Sequence, residues 1–527
     1  MPATLPTHEV LNQPPPLLDY NAFEADVALQ EALEREGGGW GVDRCRDMGA
    51  VVWSEEADEH CRRAQRNIPK LHTHDRYGNR VDRVEYDEGF HWMLRQGIDR
   101  ELHSLPWRDP RPGAHVVRAG MFSLFNQLDT GPACPVSINY AAVPTLRQTP
   151  ALAEVWEERA ARPDYDSYAQ AGMVMTEKQG GSDLRANTTV AEPIGDGWWE
   201  LTGHKWFCTH PVFEFFFTIA RTDAGPTCFV AERGPGFELQ RLKDKLGGRS
   251  LASSEVEFRR LPARVLGEEG HGIRAMIAQI GPTRLDTLVA VAGMLRRAVA
   301  EAVHHCRHRA AFGGLLAEQP AMQNVLADLC VESEAATASA MRVARSWDGE
   351  HELPFRRFAT AVMKYWVCKR AAPSVAEALE CLGGNGYIEE APLARLYRDI
   401  QIGTVWEGSG NVMALDVLRA IRTEPEGLDA FLAECELAHG ADARFDHFLA
   451  RARASVEALG GPHPHWSARR AVEDLALALQ ASLLLRHAPP AVADAFCAAR
   501  LGDGGVAFGT MPGGVEAESI INRALEV

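Results

Sequence analysis

The sequence predicts an α+β protein in which a small β-domain sits between helical domains. Three changes of texture predict it. Apolar residues recur at helical spacing through most of 21–152. From about Gly172 the runs become short and β-like, with turn residues between them. From Gly272 long helical periodicity returns and continues to the end of the chain. The expected domains are an N-terminal arm and helical domain (1–170), a β-domain (171–271), a helical bundle (272–421) and a further helical domain (422–527).

In chain order, residues 1–16 are rich in proline and polar residues and read as an extended arm. Residues 26–36 form a helix that stops at Gly37-Gly38-Gly39. His72 and His74 lack a third ligand at useful spacing and read as a polar loop. Expected strands are 198–202, 213–221, 227–232 and 254–258, divided by turns such as Gly195-Asp196-Gly197 and Gly234-Pro235-Gly236. A long amphipathic helix over 284–309 is entered through Gly281-Pro282. Its His304, His305, Cys306 and His308 have no completing carboxylate and read as a solvated cationic face, so no metal site is expected. Two or three more helices lead to about Ile421, and the helical segment 422–527 is broken at Gly-Pro-His-Pro-His, 461–465.

Composition bounds the function. The 527 residues carry a formal charge of −17, which excludes a general phosphate-backbone binder. No apolar run is long enough for a membrane span, and the first residues lack a basic head before an apolar core, so neither a membrane segment nor a signal peptide is expected. Eleven scattered cysteines, none in Cys-x-x-Cys, point to reduced thiols in a cytoplasmic protein. Neither Gly-x-Gly-x-x-Gly after a strand nor Gly-x-x-x-x-Gly-Lys-Ser/Thr occurs, so nicotinamide and nucleoside triphosphate sites of those kinds are unsupported.

The stretch around which the chain is organised is Met173-Val174-Met175-Thr176-Glu177-Lys178-Gln179-Gly180-Gly181-Ser182-Asp183. Its glycines open the backbone to a flat or anionic ligand, and Thr176 and Ser182 supply hydroxyls. Read alone it is equally a strand ending in a Gly-Gly turn. His204-Lys205-Trp206-Phe207-Cys208-Thr209 places Phe207 and Thr209 two apart, on one face of a strand. Arg309-Ala310-Ala311-Phe312-Gly313 ends the long helix, and Leu382-Gly383-Gly384-Asn385-Gly386-Tyr387 could cradle a phosphate or ribose. Glu407, in Val405-Trp406-Glu407-Gly408-Ser409-Gly410-Asn411, follows an apolar, strand-like run; desolvated beside Trp406 it would have the raised pKa that suits a base, and on the surface it would be a loop residue.

Together these stretches resemble the acyl-CoA dehydrogenase superfamily, and Lys178 and Gln179 resemble its AidB-like, alkylation-response branch. The resemblance implies a flavin bed for FAD formed by Met173, Thr176, Gly181, Ser182, Phe207, Thr209, Trp406 and Asn411. It implies Arg309 and Phe312 at the pyrophosphate of a neighbouring subunit's cofactor, Gly383 and Gly384 along the cofactor tail, and Glu407 as catalytic base with Arg284 beside it. A homotetramer follows from that shared cofactor, and an acyl-CoA-like small molecule is the implied substrate. Glu380 stands where the family pattern has glutamine, and Gly408-Ser409-Gly410-Asn411 replaces the usual threonine-containing turn. The function so implied is FAD-dependent dehydrogenation, with proton abstraction by Glu407 and hydride transfer to flavin N5. The alternative is a DNA-binding, alkylation-protection flavoprotein with vestigial activity. DNA is a weak expectation, because 422–527 holds nine Arg, no Lys and fifteen acidic residues.

Overall fold

The computed structural model describes residues 8–526, so the first seven residues of the expected arm lie outside it. Helices occupy the chain up to Ala160, strands the stretch from Ala171 to Leu266, and helices again from Gly272. The α+β expectation is borne out. Helix Val27–Arg35 begins where Asp26 accepts a hydrogen bond from the Leu29 amide, and Gly37 beyond it has φ +90°.

One departure in the N-terminal part is a hairpin, β1 (Lys70–His74) with β2 (Arg80–Glu85), which carries His72 and His74 on a strand rather than in a loop. Glu85 sits 3.0 Å from the His72 ring. The Asp75 carboxylate closes the turn by accepting from the amides of Tyr77 and Asn79. Turn chemistry of this kind decides a hairpin when the strands themselves are polar.

The β-domain contains β3 (Ala171–Val174), β4 (Val190–Gly195), β5 (Trp198–Thr209), β6 (Phe215–Thr222), β7 (Gly225–Glu232), β8 (Phe237–Leu242) and β9 (Ser253–Leu266). The order runs β3-β6-β4-β5-β9-β7, with β8 on β9, and it closes because β6 also pairs with β7. The run Phe215-Phe216-Phe217 shows the period of two. Phe216 packs inside with Phe213, Phe237 and Phe258, while Phe215 stacks on Trp156 outside, 4.4 Å between ring centroids. The short strands β4 and β8 escape sequence reading because partner strands, not their own residues, hold them.

Helix Ile277–His308 takes in Gly281-Pro282, which the sequence reading placed at its entry. Pro282 lies within the first two turns, where few of its helical bonds can be lost. The expected cationic histidine face is also corrected: His304, His305 and Cys306 are buried. The Pro15 carbonyl of the arm sits on His304, and burial holds His305 down to about 4, so these rings are neutral. Beyond Thr423 the chain adds helices Pro425–Glu436, Ala443–Glu457, Pro464–His487, Pro490–Phe496 and Ala517–Ala524. Among the described residues, no helix is long and apolar enough to cross a membrane.

The loop after β3 is tied to the sheet by a fully buried ion pair. Glu177 meets the Lys205 ammonium of β5 at 2.8 Å, with neither side chain exposed. The carboxylate also accepts from the amides of Thr188 (2.6 Å) and Thr189 (3.2 Å) and from the Thr189 hydroxyl (2.6 Å). Lys205 donates in addition to the Ile219 carbonyl of β6 at 2.7 Å. Burial works against the charge on Glu177, but Lys205 and the hydrogen bonds prevail and hold its carboxyl at about 2.

Removing one partner of this pair leaves the other charged and unmatched. Glu177→Gln is expected to lower stability by about 3–5 kcal/mol, and Lys205→Met added to it to restore much of the loss. Paired thermal melts of the two variants check this. Because Glu177 is depressed in the folded state, its stabilisation is complete above pH 4.5 and disappears as pH falls towards 2.

Candidate active site

Glu407 projects from a turn that the rest of the helical bundle holds in place. The preceding run is not a strand: helix Pro392–Asp399 passes into a 3₁₀ segment, Ile400–Thr404. Its apolar residues pack between helices Ile277–His308 and Leu353–Cys381, where no strand edge is available to pair with. Glu407 itself is in the left-handed region, φ +56°. That conformation costs a non-glycine residue about 1–2 kcal/mol. Three consecutive carbonyls offset the cost. Lys364 donates to those of Trp406 and Gly408, each at 2.6 Å, and Arg284 donates from Nε to that of Glu407 at 3.1 Å. Charge-assisted bonds are worth about 1.5–3 kcal/mol each, so the turn is held against its strain.

Arg284 is itself oriented by Asp416, 2.7 Å away, which Arg357 and Arg419 also reach. Burial raises the Glu407 carboxyl above the ordinary carboxylate range; the Thr283 hydroxyl and the charges of Arg284 and Lys364 hold it back. Cys134 of helix Thr130–Leu146 feels the Glu407 charge and that of Lys245, while burial lifts its thiol to about 12. The same cysteine packs against the core that Met173, Met175 and Ile280 line. That helix therefore connects the Glu407 turn to the stretch after β3.

The β-domain gathers Met173, Thr176, Gly181, Ser182, Phe207 and Thr209. Met173 lies on β3 opposite Phe217. The Trp206 amide donates to the Thr176 carbonyl at 2.7 Å, which docks the loop on β5. A methyl at Gly181 would come within 2.8 Å of the Thr176 hydroxyl, so this glycine is required by the loop's own closeness. Ser182 is exposed and Thr209 half-buried. Phe207 is 45% exposed, and Lys243 caps the neighbouring Trp206 ring at 3.0 Å from its centroid. A bulge between Lys205 and Cys208 turns both of those side chains inward and leaves Phe207 and Thr209 on the open side.

Arg309, Phe312, Gly383 and Gly384 form a separate group. Arg309 ends the long helix and donates to the Asn12 carbonyl of the arm. The Asn12 side chain exchanges two hydrogen bonds with Ala310, at 2.8 and 2.7 Å, and Gln13 accepts from Asn385 at 3.0 Å. Phe312 is 99% exposed. Gly383 has φ +59°, with open space where a side chain would be. Arg284 and Arg309 are 25 residues apart on one helix, about 37 Å along its axis. Within one chain the Glu407 turn and the Arg309 group therefore cannot touch the same small molecule.

Trp406 and Asn411 flank Glu407 in sequence; Trp406 is half-buried and Asn411 exposed on the first turn of helix Gly410–Thr423. The donor set fits FAD: an exposed aromatic face, two hydroxyls and open backbone on the β-domain, and a guanidinium beside an open glycine turn at the other end. Among the described residues no group of three or more His, Cys, Asp or Glu could hold a metal ion. The sequence reading missed Lys364, Asp416, Thr283, Glu177 and Lys205. Lys364 did leave a trace, as a lone charge in the apolar run Val362-Met363-Lys364-Tyr365-Trp366. In the C-terminal segment Arg444, Arg451, Arg453, Arg470, Arg486, Arg500 and Arg523 are each matched to an acid. These arginines serve packing and do not form a cationic face.

Comparison with known proteins identifies the family and the fold. Residues 12–167 match the adaptive response protein AidB N-terminal domain, 172–261 the acyl-CoA dehydrogenase middle domain, and 270–422 the acyl-CoA dehydrogenase C-terminal domain. The putative acyl-CoA dehydrogenase AidB of Escherichia coli (strain K12) is 38% identical over 515 residues, 93% of this chain and 94% of that one. The crystal structure of Caenorhabditis elegans ACDH-11 in complex with C11-CoA superimposes with a TM-score of 0.86 at 23% identity, covering 99% of this chain and 93% of that one. Butyryl-CoA dehydrogenase from Megasphaera elsdenii superimposes with a TM-score of 0.60 at 24% identity, over 72% of this chain and 98% of its own. The chain belongs to the AidB branch of the acyl-CoA dehydrogenase superfamily, a family of oxidoreductases whose cofactor is FAD.

Proposed function

We propose that this protein dehydrogenates an acyl thioester between Cα and Cβ, with Glu407 as the base. The observation that carries the reading is the Glu407 turn: a desolvated carboxyl, strained in its backbone, with three successive carbonyls pinned by two cations. Such pinning keeps the carboxylate in one place relative to a substrate α-carbon. A raised pKa strengthens it as a base. FAD, when bound, supplies the acceptor for the β-hydride. The residues that would hold its ring are Thr176 and Thr209 through their hydroxyls, with Met173, Phe207 and Trp406 as apolar and aromatic neighbours and Gly181, Ser182 and Asn411 as further contacts. The acyl-CoA class is supported by the relatives' names and by the C11-CoA carried by the C. elegans neighbour.

The 37 Å between Arg284 and Arg309 supports a shared cofactor. Arg309, Phe312, Gly383 and Gly384 of one subunit would hold the pyrophosphate end of an FAD whose ring lies on the next, and a homotetramer satisfies this reciprocally. With the C-terminal arginines matched to acids, no specific observation favours the DNA-binding alternative.

Anaerobic mixing with butyryl-, isovaleryl- and undecanoyl-CoA is expected to bleach the flavin, and Glu407→Gln to slow bleaching by at least about 10²-fold. Equal bleaching in that variant would remove Glu407 from the role. The bleaching rate should rise with pH through an apparent pKa above the ordinary carboxylate range, since the base must be ionised; stopped-flow between pH 5 and 9 reads it. Arg309→Ala is expected to weaken FAD retention by about 2 kcal/mol without changing the mass seen by light scattering. A flavin-loaded monomer would contradict the shared-cofactor arrangement.

A further inference from the structure

Lys364 is a buried cation in the middle of the helical bundle. It lies in the middle of helix Leu353–Cys381 and is 1% exposed. Its ammonium donates to two carbonyls, those of Trp406 and Gly408, and those are the residues on either side of Glu407. An ammonium out of water ordinarily sheds its proton or finds an acid. Burial does draw Lys364 down, and the carboxyl that draws it back is Glu407.

We infer that Lys364 is a positioning residue for the base: it holds the turn that presents Glu407, and its charge favours the ionised form of that half-buried carboxyl. The inference rests on Glu407 being the base. The other groups facing Glu407 leave this role to Lys364. From helix Ile277–His308 come the neutral Thr283 hydroxyl and Arg284, whose charge is shared with Asp416 of helix Gly410–Thr423. From helix Thr130–Leu146 comes Cys134, a thiol that burial keeps protonated, and beyond it Lys245. On the Lys364 helix itself Cys368 is likewise protonated, and Lys369 acts on Lys364 as a like charge. Lys364 alone combines the two contacts, touching the backbone on both sides of Glu407 while its charge finds no other carboxylate.

The geometry also explains why a lysine stands here. Two carbonyls separated by one residue converge on a single point, which a compact ammonium with rotatable donors can occupy and a flat guanidinium fits less well. Arg284, reaching the middle carbonyl through Nε while its Nη1 grips Asp416, uses the fork geometry that lysine lacks.

The test is an infrared pH titration of the full-length, FAD-loaded protein, following the protonated carboxyl band that is absent from Glu407→Gln. In Lys364→Met and Lys364→Gln the Glu407 midpoint should move up by at least about one pH unit, a tenfold change in its proton affinity. Lys364→Arg, which keeps the charge, should retain the wild-type midpoint. A neutral variant that titrates with the wild type overturns the inference. If both neutral variants fail to fold by circular dichroism while Lys364→Arg folds and keeps the midpoint, the charge is required and the inference stands. If all three fail to fold, the residue serves packing alone and the inference is lost. Flavin bleaching by butyryl-CoA in the same preparations separates the two levels. Bleaching that survives Glu407→Gln removes the base, whereas an unshifted midpoint removes only the part given to Lys364.

Discussion

Two ammonium groups withdrawn from water organise this site. Lys205 is enclosed in the β-domain and meets Glu177 of the loop after β3. Lys364 is enclosed in the helical bundle and meets the carbonyls around Glu407. A charge in a low-dielectric interior cannot be left unmatched, so each lysine dictates the conformation of the segment that matches it. One segment carries Thr176, Gly181 and Ser182; the other carries Trp406 and Glu407. Neither segment is a regular element, and a surface loop of such composition would have many conformations of similar energy.

The two halves are set relative to each other by helices that belong to neither segment. Helix Thr130–Leu146 packs beside β3 and places Cys134 within electrostatic reach of Glu407. Helix Ile277–His308 begins beneath the Glu407 turn, with Thr283 and Arg284, and ends at Arg309, where the arm closes over it. Its length puts Arg284, beneath the Glu407 turn, about 37 Å from Arg309 along the axis. Phe312 and Gly383 at the far end are open and exposed, as the proposed sharing of a cofactor between subunits requires.

The acidic C-terminal extension shows how composition and placement answer different questions. Net charge argued against a nucleic-acid surface, and the structure adds the reason at the level of pairs. Arg451 and Arg470 both turn to the buried Asp474, Arg486 to Glu434, and Arg500 to Asp328 and Glu332. Arginines matched in this way cement helices to one another and leave little free charge to attract phosphate.

The sequence by itself determined the α+β order and singled out the candidate flavin stretch and the candidate base. Periodicity is local, and a motif such as Thr176-Glu177 through Ser182-Asp183 is contiguous, so both survive without knowledge of distant residues. It also erred where distant residues decide. The run before Glu407 has strand-like composition but is helical, because it packs between two helices with no strand edge nearby. His304 lies under the arm and His305 is buried beside it in the chain, so both are neutral instead of solvated. Only the tertiary structure could bring Lys364 to Glu407 across 43 positions, or Lys205 to Glu177 across 28. The physical reason is that burial is a property of the folded chain: the same lysine is an ordinary solvated side chain on a surface, and an organising constraint once water is gone.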